Sequence, residues 1–101
     1  EHPEVAETLT AIGRVEFGRG RLAAAIDALE RATRIRTARQ GDPCLRAETS
    51  FALARALWDA GRDRDRALGL ARQASEDFRA CEGPLHGRVP TVQAWLAAHR
   101  R

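Results

Sequence analysis

Apolar residues in this chain return every three or four positions, and nowhere do they alternate with period two. That spacing predicts helices throughout and no strand. Val5, Leu9 and Ile12 set the rhythm of a first helix. Pro3 suits its first turn, where a missing N–H costs nothing, and Glu4 and Glu7 complement its positive end. Gly18 and Gly20 stop it. A second stripe follows at Leu22, Ala25, Ile26, Leu29, Ala32 and Thr33, with Arg31, Arg34 and Arg39 turned elsewhere and favouring the negative end. Gly41 in "QGDP" ends that helix, and Pro43 restarts the pattern.

A third helix carries Leu53, Ala54, Leu57 and Trp58 and closes at Gly61. The stretch "RDRDR" opens a fourth, with Asp63 or Asp65 as its N-cap. Ala67, Leu70, Ala71, Ala74, Phe78 and Cys81 form the buried face. After the loop "EGPLHG", a last helix around Pro90 places Val92, Trp95, Leu96 and His99 on one side. The Val92–Trp95–Leu96 face is expected to cover the open side of the fourth helix.

The pattern is written twice. Arg14, Phe17 and Gly20 answer to Arg55, Trp58 and Gly61 at a constant offset of 41, and Glu7 answers to Glu48. Pro3, Pro43 and Pro84 mark units of about 40 residues, each full one a helix, a tight Gly turn and an Ala-rich second helix. Self-similarity at that period is the mark of a helical solenoid.

These residues resemble the tetratricopeptide repeat (TPR) family, in its longer variant seen in kinesin light chain. Leu9, Ile12-Gly13, Gly20, Ala25, Leu29 and Ala32 fall on signature positions in the first unit. Leu53-Ala54, Gly61, Ala67, Ala71 and Ala74 do so in the second, after one extra residue in "GRDRDR". Glu16 and Ser50 depart from the pattern, standing where the family has large or aromatic residues, and the proline that often ends a unit is missing. The resemblance implies an all-α, right-handed TPR-type solenoid. Its two helix-turn-helix repeats cover about residues 3–40 and 43–82, with a C-terminal capping helix over about 88–100. It also implies a single scaffold domain spanning 1–101 that works by protein–protein interaction. The stretch from Phe51 to Ala74 with the closing "VQAWLAAHR" is similar to the C-terminal tail of TPR-bearing bacterial Ser/Thr protein kinases. None of the kinase's catalytic motifs is present, so such an activity would belong upstream. A sensory segment of a TPR-containing transcription regulator and a stand-alone adaptor are the alternatives.

Composition narrows this further. Charged residues at 31% and hydrophobic ones at 44% describe a globular chain rather than a disordered one. No apolar run reaches the roughly 18–20 residues that span a bilayer, and no leader is visible, so neither membrane nor targeting is expected. The net charge of +3 invites a nucleic-acid reading. However, all 17 basic residues are Arg, Lys is absent, and the Arg residues interleave with Asp and Glu as in "GRDRDR". A solvated, salt-bridged surface and no specific nucleic-acid partner are expected. Arg-for-Lys exchange and abundant Ala suggest a GC-rich bacterial genome, and the absence of Met suggests a piece of a longer chain. Cys44 and Cys81 form no CxxC pair and have no His at ligand spacing. The antiparallel third and fourth helices bring them to one edge. Two free thiols in a reducing cytoplasm are nonetheless the expectation.

No Ser/His/Asp set, phosphate-cradling Gly loop or HExxH occurs, and His2, His86 and His99 have no partner at useful spacing. A non-enzyme without metal or cofactor is expected. The first helix of each TPR unit lines a concave groove, so the resemblance implies Thr10, Arg14, Phe17, Phe51, Arg55 and Trp58 as groove residues. Two Arg forks beside aromatics suit an extended peptide with a carboxylate, or an acidic part of the same chain. Phe17 and Trp58 could equally pack on the next helix with the Arg stems over them. The family's clamp for terminal carboxylates uses Lys and Asn positions that this sequence does not reproduce.

Overall fold

The computed structural model describes residues 3–38, 43–81 and 87–99. His2, Arg39, Gly41, Pro84 and His86, with the outer ends assigned to the second repeat and the last helix, lie outside them. The described residues form five helices: α1 (Pro3–Gly18), α2 (Leu22–Ala38), α3 (Pro43–Asp59), α4 (Arg64–Ala80) and α5 (Val89–Ala98). Each helix packs on the next in the chain, and α1 also touches α3. The chain is therefore all-α among the described residues.

Both hairpin turns share one construction. Gly20 and Gly61 take φ of +77° and +69°, a region open to glycine at little cost. The N–H of Gly20 bonds to the Phe17 carbonyl at 3.0 Å and that of Arg21 to the Glu16 carbonyl at 2.9 Å. The N–H groups of Gly61 and Arg62 repeat this with Trp58 and Leu57, both at 3.0 Å. This is the Schellman closure, which satisfies the last carbonyls of a helix. The 41-residue offset is thus a repeat of backbone geometry. The extra residue of the second turn is Asp63, which caps α4 with φ 48° and ψ 50° and makes no side-chain cap hydrogen bond. The expected side-chain cap is replaced by a left-handed residue whose carbonyl accepts from Ala67 N–H at 2.9 Å.

The core joins Ala25, Ile26 and Leu29 of α2 to Leu53, Ala54, Ala56 and Leu57 of α3, Ala67, Ala71, Ala74 and Phe78 of α4, and Val92 of α5. Alanine dominates, so the helix axes approach closely. The expected stripe of α1 is not the inward one. Ala6, Thr10 and Gly13 face inward, Leu9 is half-buried, and Val5 and Ile12 are exposed. The reason is steric: a Cβ on Gly13 would overlap the Leu29 side chain, so the face meeting α2 must be small. On α4, Leu68 is buried and Leu70 only half-buried.

The α3–α4 hairpin is fastened at its base. Cys44 and Cys81 are joined by a disulfide, with Cα atoms 5.3 Å apart. This corrects the expectation of two free thiols. The antiparallel helices bring both residues within bridging range, and both are buried. Beside the bridge, the Arg46 fork donates Nε and Nη2 to the two carboxylate oxygens of Asp77, each at 3.2 Å.

The closing helix packs on α4, and its Trp95 ring meets Phe51 and Trp58 of α3. Val92 is fully buried, and the Gln93 amide donates to Ser75 Oγ at 2.6 Å. No helix is long and apolar enough to cross a membrane among the described residues.

Candidate functional site

A groove of about 220 Å³ opens between α1, α3 and the start of α5, lined by Arg14, Phe17, Glu48, Phe51, Ala52, Arg55 and Arg88. Four of the six residues expected there are present. Arg14 and Phe17 lie three apart on α1, and Phe51 and Arg55 four apart on α3, so each pair shares a helix face.

Aromatic rings form the apolar side of the groove. Phe17 is half-buried, whereas Phe51 is buried and meets the Trp95 ring edge-on at 5.9 Å. The Arg55 guanidinium spans both phenyl rings, its carbon 4.9 Å from the Phe17 centroid and 5.7 Å from that of Phe51. These cation–π contacts hold an exposed Arg over two helices. Arg14 reaches Glu48 at 3.8 Å, pairing the two units at one edge. An exposed pair of this kind is worth little stability, so its main effect here is to set local charge.

Arg88 closes the third side from the residue preceding α5. Its guanidinium lies 5.9 Å from the Phe78 ring centroid, and its Nε is buried with no hydrogen-bond partner among the described residues. Buried donors normally have acceptors, so this atom calls for an explanation.

Thr10 and Trp58 are not in the groove. Thr10 is buried between α1 and α3; its hydroxyl bonds to the Ala6 carbonyl at 2.9 Å and lies 2.8 Å from the Thr49 hydroxyl. A threonine on a face this tightly packed satisfies itself on its own helix and on the neighbour. Trp58 packs against α5, edge-on to Trp95 at 5.9 Å and to His99 at 5.3 Å, with the Arg64 guanidinium over its ring. For Trp58 the packing alternative therefore holds, while Phe17 serves both core and groove.

His99 has partners that spacing did not suggest. It stacks on Trp95 at 4.2 Å, and its Nδ1 donates to the Trp95 carbonyl at 2.7 Å. Three lining residues, Glu48, Ala52 and Arg88, were missed as groove residues. Glu48 was visible as the counterpart of Glu7. Arg88 had no repeat signal, because it enters from α5. Among the described residues, no cluster of three or more His, Cys, Asp or Glu could hold a metal ion.

No protein-family model, curated protein or solved structure matches the chain.

Proposed function

We propose that this chain is a protein–protein interaction module of the TPR-type solenoid kind, and that the groove between α1, α3 and α5 takes an extended acidic peptide segment. One observation carries the reading: Arg55 and Arg88 border the groove with no carboxylate in ion-pair reach among the described residues, beside the apolar rings of Phe17 and Phe51. Guanidinium forks next to aromatic surface favour a ligand that alternates carboxylates with apolar side chains. The repeated turns and the order of helix packing support the solenoid arrangement. A solenoid of this kind would serve as a scaffold or regulatory segment within a larger signalling protein.

Calorimetric titration with a capped peptide alternating Glu and Leu, against its Gln–Leu counterpart, tests this. The Glu peptide should bind, and Arg55→Gln should weaken it by about tenfold, the scale of one lost charge-assisted fork. Equal binding of both peptides, or of neither, would remove the groove reading.

A further inference from the structure

Three guanidinium groups and one carboxylate border the groove: Arg14, Arg55, Arg88 and Glu48. Glu48 is engaged by Arg14. Arg55 and Arg88 meet only aromatic faces among the described residues. Among the described residues these two positive charges have no ion-pair partner at one small, partly enclosed site. A single carboxylate supplies one negative charge, whereas a phosphate monoester carries about 1.5 to 2 at neutral pH with three acceptor oxygens. The buried Nε of Arg88 adds a geometric requirement. Among the described residues it has no acceptor, so a turn of the side chain that presents it to a ligand oxygen in the groove breaks no internal hydrogen bond. A planar guanidinium offers Nε and Nη as two parallel donors, a geometry that matches two oxygens of one phosphate.

We propose that the groove recognises a phosphorylated side chain within an extended peptide segment, with Arg88 and Arg55 holding the phosphate and the half-buried Phe17 receiving an apolar neighbour of that residue. The proposal rests on the peptide-binding reading above and sharpens its ligand. Glu48 has a role in it: paired to Arg14, it bounds the site on the α1 side and directs the dianion to the other two guanidiniums. The interleaving of Arg with Asp and Glu elsewhere on the chain opposes long polyanions, which would meet carboxylates on leaving the groove.

The test is titration of the 101-residue chain with three capped heptapeptides of one apolar sequence, whose central residue is phosphoserine, glutamate or serine. The phosphoserine peptide should bind at least about tenfold more tightly than the glutamate peptide. That advantage should shrink as pH falls through about 6, where the dianion takes up a proton. Arg88→Gln and Arg55→Gln should each lose about tenfold, and Arg88→Lys should recover only part, because ammonium cannot fork. Arg79→Gln, at an exposed site in the last turn of α4, should bind like the parent. Thermal melts of each variant separate lost recognition from lost folding. Equal affinity for the phosphoserine and glutamate peptides would overturn phosphate recognition and leave the acidic-peptide reading standing. Binding of no peptide would overturn both. A short DNA duplex that competes as well as the phosphopeptide at physiological salt would also overturn the proposal, in favour of general polyanion attraction.

Discussion

The two hairpins solve one packing problem with different residues. In α1–α2 a glycine, Gly13, admits a leucine, Leu29; at the matching positions of α3–α4 stand Ala54 and Ala71, both fully buried. The second hairpin holds the Cys44–Cys81 bridge and the Arg46–Asp77 fork, where the first has Pro3 in place of Cys44 and Val5 in place of Arg46. Burial differs more sharply still. Leu53 and Ala56 of α3 are wholly buried, while their counterparts Ile12 and Val15 on α1 are 47% and 55% exposed. The repeat therefore copies the contacts inside a hairpin. Whether a helix is covered on its other side is decided by its neighbours: α3 packs on α1, α2 and α4, whereas α1 packs on α2 and touches α3.

The largest effect should separate these equivalent positions. Leu53→Ala should cost about 2–5 kcal/mol, the usual range for a buried leucine that leaves a cavity. Ile12→Ala should stay within about 0.5 kcal/mol, as expected for a surface substitution. Chemical denaturation of both variants checks the pair. Similar losses would mean that Ile12 is covered in solution and that the contrast between α1 and α3 is false.

The bridge comes next. It closes a separation of 37 residues, for which about 2–4 kcal/mol of stabilisation is typical. Intact mass under non-reducing, alkylating conditions should show a chain two protons lighter than the dithiol, with no alkylation. Reduction should then lower the melting temperature by an amount that Cys44→Ala/Cys81→Ala reproduces. Two alkylated thiols in the native chain would remove the staple from the comparison.

Sequence patterning carried the helices and most of the groove, and the failures share a cause. Arg14, Phe17, Phe51 and Arg55 were readable because the resemblance placed the first helix of each unit on the groove, and the spacing puts each pair on one face of α1 or α3. Trp58 was misplaced because its position matches Phe17, yet Trp95 and His99 of α5 cover it. Arg88 was missed because it lies outside the two repeats, where no counterpart marks it. Thr10 looked like a polar lining residue, but at a close helix crossing a small hydroxyl is a packing residue. The disulfide was visible as adjacency. It was set aside because compartment was inferred from composition, which says nothing about the distance between two helix ends.

Gly13→Ala should cost about 1–3 kcal/mol, because the added methyl drives into a side chain that has no exposed volume to retreat into. Combining it with Leu29→Ala recreates the residue pair of the second hairpin. The double variant should therefore cost less than the two single losses added, and a thermodynamic cycle reads that difference directly. Strict additivity would mean that the two hairpins are not alternative fillings of one space.

The smallest effect concerns a tie between the hairpins. Arg66 of α4 donates Nη1 and Nη2 to the carboxylate of Glu30 on α2, at 2.6 and 2.7 Å. These hydrogen bonds, opposed by partial burial and aided by the charges of Arg66, Arg34 and Arg62, hold the Glu30 carboxyl below its ordinary range. A carboxyl lowered on folding stabilises the native state above its unfolded pKa, near 4.3. That contribution is lost as pH falls through the folded value. The Arg66 guanidinium, shifted upward from an already high value, stays charged throughout and adds no pH dependence of its own. Both side chains remain partly exposed, at 41% for Arg66 and 27% for Glu30, so solvent screening limits the pair to at most about 1 kcal/mol. Glu30→Gln should therefore melt slightly below the parent at pH 7, and the gap should close in acid once Glu30 is protonated. Arg46–Asp77 lies within one hairpin and Glu30–Arg66 between two, so their responses to salt should differ. The exposed inter-hairpin pair should weaken in high salt more than the fork on buried Asp77. A gap between parent and Glu30→Gln that survives acid would show that Glu30 acts by packing rather than by charge.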